Sequence, residues 1–329
     1  MFLAALCLLA APAGETITKT AEEIEFRAGT EVAARYKFAG TVQVEKGTDT
    51  KPLAKPYFWP IVAPGGTPVT RAWPMARGTA GETTDHFHQK SVWFCHGDVI
   101  PTDKTLKVKS ADKRVHGVDF WAEGGNHGRI VCVKVDEPKE NSVTTANEWQ
   151  AADGELILTE TRTITFHALP AGYLFVLDID LAASAGGVTF GDTKEGAMGV
   201  RVPDGVALAK GNGTVVSSDG TTVKAGTTKT LPVWGKPADW HDYSSDKGGI
   251  AVFDHPTNAH RANWHTRDYG LMAANPFGRG DSGFPAVKGR SDVVKLAAGE
   301  HLKLTYGVYA HTGDAAGGKV AEAFAGFAK

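Results

Sequence analysis

The feature that most constrains this chain is a two-residue alternation of apolar and polar side chains, repeated along most of its length. Tyr173, Phe175, Leu177, Ile179 and Leu181 alternate with Leu174, Val176, Asp178, Asp180 and Ala182. Leu302, Leu304, Tyr306, Val308 and Ala310 alternate with His301, Lys303, Thr305, Gly307 and Tyr309. Successive side chains of a strand point to opposite faces, so this period describes strands with one face buried. The run 156–166 is long and Thr-rich, which suits a pleated surface. Further strands are expected at 57–63, 90–96, 117–122, 128–136, 142–149, 197–202, 250–254 and 268–273. Turn signals separate them, among them Pro64-Gly65-Gly66, Asp153-Gly154 and Asp219-Gly220. The Gly/Ser/Thr-rich stretch 211–230 reads as a hairpin. Helical spacing is confined to Lys319–Phe327, where Val320, Phe324 and Phe327 share a side. The expectation is an all-β chain, a large antiparallel β-sandwich with a short C-terminal helix, residues 14–329 forming a single domain.

The N-terminal run from Phe2 to Ala11 is almost wholly apolar and is followed by Ala11-Pro12-Ala13 before Gly14. That small-x-small pattern predicts a signal peptide, residues 1–13, and a secreted or periplasmic protein. The run is shorter than the roughly 20 apolar residues a membrane helix needs, so no membrane span is expected. Lys and Arg total 35 against 37 Asp and Glu, a formal net charge of -2. Such a balance gives no footprint for a nucleic-acid partner. Cleavage after Ala13 leaves Cys95 and Cys132, each in an apolar run. They read as buried thiols, with a disulfide also allowed in an exported protein.

The chemistry-bearing residues fall into four windows. The first, 84–98, holds Asp85, His86, His88, Lys90, His96 and Asp98; two residues apart, His86 and His88 would share one face of a strand. In the second, 116–130, Glu123 and His127 flank Gly124-Gly125, with Trp121 as a stacking surface. The third, 190–201, carries Asp192, Lys194, Glu195 and Arg201. The fourth, 234–279, carries Trp240, His241, Asp242, His255, His265, Arg267 and Asn275, with His265 and Arg267 on one strand face. This mixture of His, carboxylate, Arg, Asn and Trp is the vocabulary of carbohydrate sites: indoles pack on sugar rings, planar polar groups bracket hydroxyls, His and Glu carry protons. No G-x-S-x-G, Walker, G-x-G-x-x-G or H-E-x-x-H motif is present. Gly280-Asp281-Ser282-Gly283 matches a protease string only superficially. Neither a cofactor nor a resident metal is assigned.

The segments KPYFWPIVAPGGTPVTRAWP, DHFHQKSVWFCHGDV, GVDFWAEGGNHGRIV, GDTKEGAMGVRVP, WGKPADWHDY and HTRDYGLMAANPFG, in this order, resemble the PmoA-like family of uncharacterised bacterial secreted proteins, often labelled "methane oxygenase". The resemblance spans roughly residues 50–315. It implies a galactose-mutarotase-like supersandwich and a setting of glycan breakdown. A membrane methane oxygenase is a multi-span helical protein, so that activity is not expected of this chain. Where the family has an Asp-His-x-His-His-Arg run, this chain has Asp85-His86-Phe87-His88-Gln89-Lys90, departing at Gln89 and Lys90.

The leading expectation is a carbohydrate-active protein acting on a small-molecule or oligosaccharide substrate, as a sugar epimerase or mutarotase, a glycan lyase or a hydrolase. In a mutarotase-type mechanism an imidazole (His86 or His88, with His265) protonates the ring oxygen. A carboxylate, Glu195 or Glu123, deprotonates the anomeric hydroxyl. Arg201 and Arg267 would hold substrate oxygens and Trp73, Trp121 or Trp240 would stack. Lys90, Asp98, His127, Asp242 and Asn275 complete the expected binding set. The alternatives are a non-catalytic glycan-binding or structural module, and a metalloenzyme using His86, His88 and His265 or Asp98.

Overall fold

The computed structural model describes residues 14–227 and 230–329. The expected signal peptide, its cleavage site and Cys7 lie outside the described residues. Two large antiparallel sheets are stacked. In spatial order the first contains Glu15–Lys19, Glu23–Ala28, Glu31–Lys37, Tyr57–Ala63, Val92–His96, Gly196–Arg201, Leu271–Asn275 and Asn263–Trp264. The second runs Arg129–Val135, Ser142–Gln150, Leu156–Leu169, Gly172–Ala182, His301–His311, Gly249–Asp254, Trp240–Ser244, Thr214–Ser217 and Thr222–Lys224.

The alternating runs behave as their period requires. Gly172–Ala182 pairs with His301–His311 in unbroken register, Gly172 opposite His311 and Ala182 opposite His301. Tyr173, Phe175, Leu177, Ile179 and Leu181 enter the core between the sheets. There Phe175 meets Phe26 and Phe58 of the first sheet, each at a 5.4 Å ring separation. Burying one such ring contributes about 1.5–3 kcal/mol. On the opposite face the same strand starts apolar, at Leu174 and Val176, and ends charged, at Asp178 and Asp180. The helix Val320–Phe327 explains the change: Val320, Ala323, Phe324 and Phe327 cover Leu174, Phe253 and Tyr309 at that end and leave the other end to solvent.

A polar knot sits inside this core. Arg162 donates from Nε to Glu160 at 2.6 Å and from Nη1 to the Tyr36 hydroxyl at 3.0 Å. Glu160 also accepts from Trp149 Nε1 at 2.8 Å and Asn147 Nδ2 at 3.2 Å. Tyr36 belongs to the first sheet and the others to the second, so the knot crosses the interface.

Two strand expectations are corrected. Residues 117–122 form no strand, because Asp119 Oδ1 accepts the amides of Trp121 (2.7 Å) and Ala122 (3.0 Å) and bends the chain. The strand expected at 268–273 begins only at Leu271, after a turn in which Gly270 takes φ +95°, a region open to glycine. Cys95 and Cys132 are free thiols, as read from the sequence, Cys95 buried and Cys132 only partly so.

Trp240 and Asp242, expected at the binding site, stand on the second sheet. Trp240 packs in the small cluster under the helix, and Asp242 is fully buried against His311, Nε2 to Oδ2 2.7 Å. Burial opposes charge on His311, but the hydrogen bond and charge of Asp242 outweigh it and raise its pKa. That stabilisation is complete below the unfolded-state value, about 6.5, and is lost as pH rises through the folded-state value. Urea unfolding between pH 5.5 and 9 should show this loss, and His311→Gln should remove it while lowering stability by about 3–5 kcal/mol, the cost of orphaning a buried charge.

Candidate functional site

The site is built over the first sheet, on the face opposite the one that carries Phe94 against the second sheet. Register sets its floor: Ala197 lies opposite Cys95, Gly199 opposite Trp93 and Ala273, and Arg201 opposite Leu271. Phe94, on the other face, packs against Trp149 and Tyr306 of the second sheet. Gly199 has no room for a side chain, because a Cβ there would lie 2.6 Å from the Trp93 indole.

Two buried guanidiniums anchor the His-bearing segment to this floor. Arg71 donates to Asp85 Oδ1 at 2.5 Å and to the carbonyls of Asp85 and His86 at 3.0 and 3.3 Å. Arg201 reaches the same carboxylate at 3.0 Å and Gln89 Oε1 at 2.6 Å. Burial alone would raise the Asp85 pKa, but the bond from His86 and the charges of Arg201 and Arg71 hold it well below the usual carboxylate range. His86 and His88 sit in a loop rather than on a strand, with rings 5.8 Å apart. His86 has φ +45°, a left-handed backbone sparsely used by residues other than glycine, and the bonds from Arg71 to the flanking carbonyls hold it there. Its Nδ1 lies 3.0 Å from Asp85 Oδ2 and its ring stacks on Tyr269 at 4.9 Å. Asp85 thereby orients the imidazole and leaves Nε2 for a bound molecule.

Glu195 comes from the turn before Gly196–Arg201. Its carboxylate is 4.0 Å from His265 Nδ1 and 3.5 Å from Lys194 Nζ. Burial raises its pKa against the pull of Lys194. His265 Nδ1 lies 3.0 Å from the Lys194 carbonyl, which can only accept, so the proton is on Nδ1 and the buried Nε2 presents a lone pair with no partner. Burial and the nearby Arg267 lower the His265 pKa to about 3, and burial with Lys55 does the same for His88. Both rings are therefore neutral at pH 7 and act as hydrogen-bonding groups, not as the acids expected of them. Beside Glu195 opens a cleft of about 450 Å³, lined also by Lys194, Asp119, Arg114 and His116.

The structure thus groups His86, His88, Glu195, His265, Arg201 and Arg267, with Tyr269 linking the two guanidiniums at 4.7 and 5.7 Å. Other expected residues have different work. Glu123 is enclosed by Lys90 (2.5 Å), Lys55 (3.3 Å) and Lys51 (3.5 Å). Burial opposes its charge, but these lysines hold its carboxyl far below the ordinary range, which removes it as a base. Lys90, deeply buried, is lowered to about 8. His127 lies 3.7 Å from Asp119. Trp121 is only 2 % exposed and packs edge-on to Trp93, so it offers no face to a sugar. Asp98 accepts the amides of His116 and Gly117. Asn275 accepts the Phe277 and Gly278 amides and donates to Thr193, fixing the turn that carries Glu195. Trp73 packs on Phe87 and under Arg77, away from the cleft. Among the described residues no group of three or more His, Cys, Asp or Glu is arranged to hold a metal ion.

Arg71, Lys55, Asp119 and Tyr269 were not anticipated. His265 and Arg267 do not share a strand face as expected: the strand ends at Trp264 and the next begins at Leu271, so both, with Tyr269, lie in the connecting loop and turn. Arg71 and Lys55 are single cations outside the windows rich in His, and only the folded chain brings them to their carboxylates.

A polar site on one sheet of an antiparallel sandwich is the class this geometry defines. The chain belongs to a family of unknown function, DUF6807, whose model matches residues 23–325. No curated protein matches the sequence. Among solved structures it is similar to the GH36 alpha-galactosidase AgaB from Geobacillus stearothermophilus, at 11% identity and TM-score 0.42, over 92% of this chain and 42% of that one. The chain therefore spans less than half the length of that protein. It is also similar to a galactose mutarotase-like protein from Lactobacillus casei ATCC 334, with 10% identity, TM-score 0.38 and coverage of 91% and 100%. A galactose mutarotase related enzyme from Lactobacillus acidophilus aligns at 12% identity and TM-score 0.30, covering 91% and 98%.

The account of Glu123 has a direct check. Glu123→Gln leaves Lys55 and Lys90 buried without a counter-charge, and urea unfolding should register a loss of about 3–5 kcal/mol. A change under about 1 kcal/mol would show that the lysines do not depend on this carboxylate.

Proposed function

We propose that this chain is a carbohydrate-active protein that moves protons on a bound sugar, with Glu195 as base and His86 as acid. The observation that carries the reading is the pairing of unlike proton carriers. Glu195 has its pKa raised by burial toward the range of a working base, and His86 is exposed and held by Asp85. In the simplest reaction Glu195 takes the proton of an anomeric hydroxyl while His86 Nε2 gives one to the ring oxygen. The ring C–O bond breaks, an aldehyde forms, and closure on its other face returns both protons. The neutral His265 accepts a substrate hydroxyl at Nε2. Cys95 is no rival nucleophile: burial pushes its thiol up to about 12.

We further propose that the protein is exported and acts outside the cytoplasm, as a PmoA-like protein would. The support is the apolar N-terminal run and the ordered motifs of residues 50–315. Among the described residues no helix is long and apolar enough to cross a membrane.

Exchange between sugar anomers, followed by NMR saturation transfer, tests the chemistry. The wild type should accelerate exchange for at least one hexose. Glu195→Gln and His86→Asn should each lower that rate by about 10²–10⁴-fold and leave the thermal stabilisation by the sugar in place. Stabilisation by a sugar without any catalysed exchange would replace this reading with a glycan-binding module.

A further inference from the structure

Several cations around the site share a carboxylate. Lys51, Lys55 and Lys90 share the one carboxylate of Glu123, and Arg71 and Arg201 share that of Asp85. Buried cations are costly unless each finds an opposite charge. Arg267, by contrast, is half-buried and open to the site: its side chain makes no hydrogen bond or ion pair with any described residue, and its Nε is buried without an acceptor. The guanidinium lies 5.7 Å from the Tyr269 ring, and it is the charged group acting most strongly on His265. His265 is itself only 2 % exposed, with Nε2 unpartnered. An unpaired guanidinium and an unfilled acceptor therefore stand two residues apart on one segment.

A neutral sugar fills the acceptor with a hydroxyl and leaves the guanidinium without a counter-charge. A carboxylate answers the guanidinium in its own plane, with two parallel hydrogen bonds. Both groups are filled at once by a molecule that carries a carboxylate next to a hydroxyl-bearing carbon. We propose that the ligand of this site is an acidic sugar, a hexuronate residue, whose carboxylate is held by Arg267 and whose adjacent hydroxyl donates to His265 Nε2. This rests on the reading of the site as a sugar site and adds the class of sugar.

The experiment is titration calorimetry of the mature protein with matched pairs: D-galacturonate against D-galactose, and D-glucuronate against D-glucose. An acid should bind about tenfold or more tightly than its neutral partner, as expected for a charge-assisted contact. Arg267→Met should bring the affinity for the acid down to the neutral level. Because the Arg267 side chain makes no hydrogen bond or ion pair to any described residue, and only a distant contact over the Tyr269 ring, the variant should keep nearly the wild-type Tm. Should Arg267→Met fail to fold, the methyl ester of galacturonate on the wild type makes the same comparison by removing the charge from the ligand. Neutral sugars binding as tightly as the acids would overturn this inference and leave the sugar reading standing. Binding of no sugar from either set would overturn both.

Discussion

The contact on which the rest of the molecule depends is the buried ion pair of Glu160 and Arg162 with the Tyr36 hydroxyl. Two sheets with apolar inner faces can slide over one another at little cost, because hydrophobic burial has no direction. A guanidinium sealed between them cannot slide: Arg162 must meet Glu160 on its own strand and Tyr36 across the gap, or leave a buried charge unsatisfied. Its guanidinium also lies 5.5 Å from the ring of Phe94. Phe94 is on the strand that carries Trp93 and Cys95 outward to the site. The alignment of the sheets and the position of the site floor are therefore set by one polar knot.

The fold was legible in the sequence where burial is one-sided. Strands such as Gly172–Ala182 advertise themselves because one face meets the core and the other meets water. The reading failed where a side chain competes with the backbone ladder, as Asp119 does by taking the amides of Trp121 and Ala122. It also had no means of finding Glu160 and Arg162 as a core pair, since in a list of residues they look like two more charges on a Thr-rich strand.

The site was legible in part. The four polar windows singled out His86, His88, Glu195 and His265, which the fold brings into one region, because titratable groups crowded beside apolar strands must be used or satisfied. Residue type alone did not separate the two uses. Glu123 and Glu195 are the same side chain, yet three lysines enclose one and burial dominates the other, so their acidities move in opposite directions. Asp242 and Asp85 are likewise both partners of histidine, one sealed under the second sheet and one at the mouth of the site. What distinguishes them is long-range neighbourhood, which spacing along a chain does not encode.

The small floor beneath the site has an evolutionary consequence. Ala197, Gly199 and Ala273 are at or near the least size a residue can have, and the Trp93 indole already stands where a side chain at Gly199 would go. Substitution there can only make the site shallower. Any descendant of this chain that came to accept a bulkier molecule would have to change its rim, the loops carrying His86, Asp119 and Glu195. Specificity can therefore diverge through the loops while the sheet beneath them stays the same.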